Sequence, residues 1–169
     1  IGGDGNVYVA AFGSSKVGKL DATALEEDSF VPSAASHIEV SGGGPCGLAL
    51  DEPRQRLYVL TRFDNAVKVI DTTTRTEVGT YPLFNPEPPA IVQGRPFLYD
   101  SRATSSNGEA SCASCHVFGD LDSLAWDLGN PDEVIKPNNN PVGPIASTDP
   151  FFPLKGPMTT QTLRGLAQG

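Results

Sequence analysis

Residues 44–74 read GPCGLALDEPRQRLYVLTRFDNAVKVIDTTT. At 66–70, Val67 and Val69 fall on one side of an extended chain and Lys68 on the other, the period-two pattern of a half-buried strand. The polar turn Arg62-Phe63-Asp64-Asn65 separates this strand from an upstream run containing Leu57-Tyr58-Val59. Gly42-Gly43-Gly44-Pro45 precedes another short strand at 46–50, and 75–81 supplies a fourth.

The same pattern occurs earlier in the chain, aligned without gaps at an offset of 50. Val7-Tyr8-Val9 matches Leu57-Tyr58-Val59, Val17 matches Val67, Leu20-Asp21 matches Ile70-Asp71, and Thr23 matches Thr73. Each copy reads as strand, polar turn, strand, then an Asp-x-Thr turn. Four short antiparallel strands per repeat are the pattern of a β-propeller blade. Residues 44–74, with a weaker copy at 5–23, resemble the YVTN-type propeller repeat. The resemblance covers about 1.5 to 2 blades, whereas a ring needs about four to eight. It therefore implies a partial propeller over residues 1–84, completed by sequence outside this chain, by further chains, or by packing on the C-terminal half.

Cys46 is expected to be a small buried residue at a strand start rather than a reactive thiol. His37 is expected at the surface, with a remote ligand role as the alternative. Residues 85–90 form a stiff Pro-rich linker, with Pro86, Pro88 and Pro89 blocking both helix and ladder.

The second part, 91–169, contains Cys112-Ala113-Ser114-Cys115-His116. C-x-x-C-H is the attachment pattern of a c-type haem. Two thiols three positions apart can each close a thioether onto one vinyl group of a single porphyrin. The following histidine is then held beneath the iron as its proximal ligand. A redox-active pair or half a zinc site are the alternatives. The former belongs beside a β-α-β pattern, and the latter needs about four ligands. The chain has 3 Cys and 2 His, and the remaining Cys46 and His37 lie far upstream. The reading is one covalent haem c, with His116 as iron ligand.

Met158 is the only methionine and sits in the Pro-rich stretch Gly156-Pro157-Met158-Thr159. A thioether from such a loop suits the sixth iron position; the alternative is simple packing beside the ring. Trp126 is a candidate to pack on the porphyrin, with simple core burial as the alternative, and Arg164 to pair with a propionate, with a plain surface arginine as the alternative. Asp120 is a plausible helix N-cap, because Leu121, Leu124, Ala125 and Leu128 recur at helical spacing. Asp120, Asp122 and Asp127 lack EF-hand spacing and read as a solvated face rather than a calcium site. Residues 129–150 read as loop, and 160–166 and 90–99 as short helices, with Pro96 tolerated only in a first turn.

GRPFLYDSRATSSNGEASCASCH, residues 94–116, resembles the di-haem cytochrome c peroxidase family, which includes the methylamine-utilisation haem enzymes. KGPMTTQTLRGL, residues 155–166, is similar to that family's Thr-x-x-Leu-Arg segment. The resemblance implies a small, mainly α cytochrome c-like haem domain over 91–169. The fold class expected for the whole chain is therefore α+β and multidomain. This chain departs from the family in having one C-x-x-C-H, and no histidine in the loop at 149–154.

Composition narrows the roles. There are 12 Lys and Arg against 20 Asp and Glu, a net charge of −8. Nucleic acid binding needs a basic face and is excluded. No run of about 18 apolar residues offers a membrane-spanning helix. Residue 1 is Ile and no signal peptide is present. Covalent haem attachment in bacteria takes place outside the cytoplasmic membrane. The chain therefore reads as a processed or incomplete piece of an exported, periplasmic or extracellular protein. The expected role is one-electron transfer with redox partner proteins. The alternatives are a peroxidase or oxidase module, and a structural relay in a larger redox assembly.

Overall fold

The computed structural model describes residues 2–104, 110–127, 132, 134 and 157–165. Strands β1 (Asn6–Ala11), β2 (Lys16–Asp21) and β3 (His37–Glu39) form an antiparallel sheet in that order. Strands β4 (Pro45–Asp51), β5 (Arg56–Thr61), β6 (Ala66–Asp71) and β7 (Thr76–Pro82) form a second, also in chain order. Between β2 and β3 lies the short helix α1 (Ala22–Glu26). The repeated aspartate caps differently in the two copies. Asp21 accepts from the Ala24 amide and starts α1, whereas Asp71 accepts from both Thr73 and Thr74 amides and closes a turn.

The two sheets meet face to face. Val17, Ile38 and Val40 pack with Leu57, Val59 and Ile70, and Tyr8, Leu48 and Leu50 cover the margin. The glycine run at 42–44 is required by this packing. Gly43 and Gly44 have φ of +82° and +62°, and a Cβ on either would fall within 2.7 Å of the buried Phe63 ring. Phe63 meets Phe12 edge to face at 5.2 Å, and Phe12 meets Tyr99 at 5.6 Å.

Lys68 is buried on β6, with its ammonium 2.7 Å from Asp64 and close enough to Glu77 to stabilise that carboxylate. Asp64→Ala removes the directly paired carboxylate of this buried cation and is expected to cost roughly 3 kcal/mol in urea unfolding. Lys68→Met removes the charge along with its partner's duty and is expected to be near neutral.

Helices α2 (Pro89–Tyr99) and α3 (Ser101–Thr104) follow the sheets. The segment at 85–90 is tied down. Arg62 grips Glu87 with two bonds of 2.8 and 2.9 Å, and Arg95 reaches both Glu87 (2.6 Å) and the Arg62 carbonyl (2.7 Å). Helix α2 runs through Pro96, beyond the first turn to which the sequence confined that residue. An interior proline costs about 3 kcal/mol; here Arg95 before it and Tyr99 after it are both held by tertiary contacts.

Asp100 is buried at the end of α2. It accepts from the Ser15 hydroxyl (3.0 Å) and from Arg102, and Ser101 donates to the Gly13 carbonyl (2.8 Å). Burial by itself would raise the Asp100 pKa; the hydrogen bonds from Arg102 and Ser15 prevail and hold it below the ordinary value. A lowered folded pKa contributes stability that is present above the unfolded value and is lost as pH falls. Stability should therefore drop below about pH 4, and Asp100→Asn should flatten that drop in denaturation measured across the acid range.

The expected mainly α domain over 91–169 is not what forms. The molecule is mainly β. Its described C-terminal part holds α2, the four-residue α3, two one-turn 3-10 helices and a third antiparallel sheet. That sheet pairs β8 (Ala125–Asp127) with β9 (Pro157–Thr159). The helix read from Asp120 onward is absent from the described residues; Leu128 lies outside them. Asp120 and Asp122 instead bind the nearby amides of Leu121 and Leu124, which competes with helical bonding, and Ser123 adopts φ of +62°. The helix read at 160–166 is likewise replaced by extended chain and a turn over the described residues; Leu166 lies outside them. The loop read at 129–150 falls outside them too, apart from 132 and 134. Among the described residues, no helix is long and apolar enough to cross a membrane.

Candidate functional site

Cys112–Ser114 forms a single 3-10 turn, closed by the Cys115 and His116 amides donating to the Cys112 carbonyl at 3.2 and 2.9 Å. Cys112 opens this turn and Cys115 follows its last residue, a spacing of three that in 3-10 geometry favours one side. Both are exposed and unpaired, and Cys112 Sγ lies 3.9 Å from the Thr104 hydroxyl on α3. Helix α2 packs against this turn.

His116 is half-buried, and its Nδ1 lies 2.6 Å from the Gln161 carbonyl oxygen. A carbonyl can only accept, so Nδ1 carries a proton, and Nε2 is the ring nitrogen left to face a ligand. The sequence carried no sign of this contact, because the acceptor is main chain and any residue could supply it.

Further links bind the stretch at 157–165 to the motif. The Leu163 amide donates to the Gly119 carbonyl at 2.9 Å. Arg164 pairs with Asp120 at 3.1 Å. The Leu121 amide, then Thr162 and Arg164, hold the Asp120 carboxyl below its usual range. Asp122 is lowered by the Leu124 amide, then by Trp126 and Thr160. The pairing of β8 with β9 sets Trp126 opposite Met158, while Trp126 Nε1 donates to Asp122 at 2.6 Å.

The structure therefore brings Cys112, Cys115, His116, Trp126, Met158 and Arg164 onto one linked set of segments. Arg164 already has a carboxylate partner in Asp120. Trp126 and Met158 are exposed rather than core, as are Phe97, Val117, Phe118 and Leu124 on the flanking elements. His37 lies apart on β3, paired with Gly18. Cys46 is exposed at a bulge in β4, not buried, with Sγ 3.6 Å from the Leu60 carbonyl. The bulge supplies the reason: an extra residue there turns the side chain out of the packed face. Among the described residues, no three His, Cys, Asp or Glu side chains converge as a cation site.

Comparison of the chain with protein-family models, with curated proteins and with solved structures finds no match.

Proposed function

We propose that this chain is an exported c-type haem protein whose main role is one-electron transfer with redox partner proteins. The observation that carries the reading is the His116–Gln161 hydrogen bond, which engages Nδ1 and leaves Nε2 as the ligand-facing nitrogen, directly after two exposed thiols three positions apart. The donor set fits the group: Cys112 and Cys115 would hold one haem c, and His116 would ligate its iron. When bound, haem supplies reversible one-electron chemistry at the iron.

The chain's own residues orient, shield and tune. The Gln161 carbonyl sets the ring tautomer and raises the basicity of Nε2. Exposed apolar side chains on either side of the motif, Phe97, Phe118 and Trp126 among them, suit the face of an apolar macrocycle far better than water. Met158 is the chain's only thioether and our candidate for the sixth position. Arg164 would have to leave or share Asp120 to meet a propionate. A net charge of −8 favours basic partners.

Visible absorption of the haem-loaded protein, ferric and then ferrous, tests the role. A low-spin ferric spectrum with a weak long-wavelength band that Met158→Ala abolishes is expected. A high-spin spectrum that shifts on adding peroxide, cyanide or carbon monoxide would put the peroxidase or oxidase role ahead.

A further inference from the structure

The repeat at an offset of 50 relates the faces of the two sheets in a way that neither sheet shows alone. In the first sheet, Tyr8, Ala10 and Val17 lie on one face, as the registers Ala10↔Val17 and Val17↔Ile38 require. This face meets the second sheet. Their counterparts fifty residues on are Tyr58, Leu60 and Val67, which share the opposite, open face of the second sheet. The second sheet meets the first through Leu57, Val59 and Ile70. Their counterparts are Val7, Val9 and Leu20, on the open face of the first sheet.

Each open face thus carries the repeat equivalents of residues that make one half of the internal interface. The open face of the second sheet is 36% exposed at Tyr58 and 37% at Leu60; that of the first is 43% exposed at Val9. Gly18 and Ala11 leave a trough of about 420 Å³ over Val9 and Leu20, rimmed by Lys16, His37 and Arg102. Within one molecule, Tyr8 packs against the shared cluster to which the second sheet contributes Leu57, Val59 and Ile70. Tyr58 is equivalent to Tyr8, and the floor of that trough is equivalent to the cluster.

From this continuity with the internal interface we infer that the open face of the second sheet of one molecule docks on the open face of the first sheet of another copy. The contact is heterologous, because two different surfaces meet, so association runs head to tail and does not stop at a two-fold dimer unless a ring closes. It does not depend on the haem.

Sedimentation velocity of the 169-residue chain over a range of concentrations provides the test. Weight-average mass should rise from that of one chain to at least about twice that value. Val9→Lys and Tyr58→Lys each block one of the two surfaces, and each variant alone should remain monomeric. Mixed in equal amounts, they should form a one-to-one dimer that grows no further, since each retains the surface the other has lost. Far-UV circular dichroism checks folding; Leu20→Lys and Leu60→Lys replace either variant that fails it. A wild-type chain that stays monomeric at every concentration would overturn the inference. So would either folded variant that still associates by itself, because that requires a like-with-like contact.

Discussion

Replacing Cys112 and Cys115 together by serine is expected to abolish covalent haem attachment completely. Haem staining of a denaturing gel, after production beside a c-type maturation system, reads this directly. The proposed attachment gives each thiol one of the two thioethers, so the double variant would have none left, and Cys46 is far away in β4. Either single serine variant should retain one thioether and so keep part of the stain. The fold should hardly notice, since both thiols are exposed and surface substitutions usually stay within about 0.5 kcal/mol. Gln161→Ala should leave attachment unchanged, because the group that holds His116 Nδ1 is the backbone carbonyl and not the side chain. A stain that persists in the double variant would mean that the thiols do not carry the group.

Ile70→Ala is expected to be the most damaging change to the fold. Ile70 is 0% exposed, is the penultimate residue of β6 and joins Val17, Ile38, Leu57 and Val59 across both sheets. Losing its side chain forfeits transfer energy and leaves a cavity that flanking strands cannot close without breaking register. About 3 to 4 kcal/mol should be lost in urea unfolding, within the range for such truncations. Val78→Ala on the exposed β7 is the control and should cost far less. Since domains of this size are stable by only about 5–15 kcal/mol, Ile70→Ala removes a large share of the total.

The strands were legible because apolar and polar residues alternate along them. Val67 and Val69 against Lys68 announced β6, and Arg62 to Asn65 announced the turn before it. Even there the pattern misled on one point: Lys68 reads as the wet side, yet it is buried beside Asp64. A salt bridge formed across a turn has no period to reveal it. The repeat pointed to two similar units, but the first has three strands and follows Asp21 with a helix.

Beyond residue 90 the sequence was a poorer guide, for physical reasons. Leu121, Leu124 and Ala125 have helical spacing, but Asp120 and Asp122 divert the local amides to their own carboxylates. Residues 160–165 spend backbone groups on Gly119 and His116 instead of on a helix. These partners lie far apart in the chain, so no local window contains both. The cysteines and histidine of the proposed site stand out at once, because C-x-x-C-H is a fixed pattern of residue type and spacing. What holds them in place is mostly main chain, which the sequence does not distinguish.

Intact mass spectrometry of the protein made with a c-type maturation system tests the central claim most directly. The account predicts that the polypeptide gains the mass of one haem under denaturing conditions, that only Cys46 remains free to alkylation, and that peptide mapping places the adduct on Cys112 and Cys115. An unmodified polypeptide with three alkylatable thiols, produced where a known c-type cytochrome is fully loaded, would contradict it.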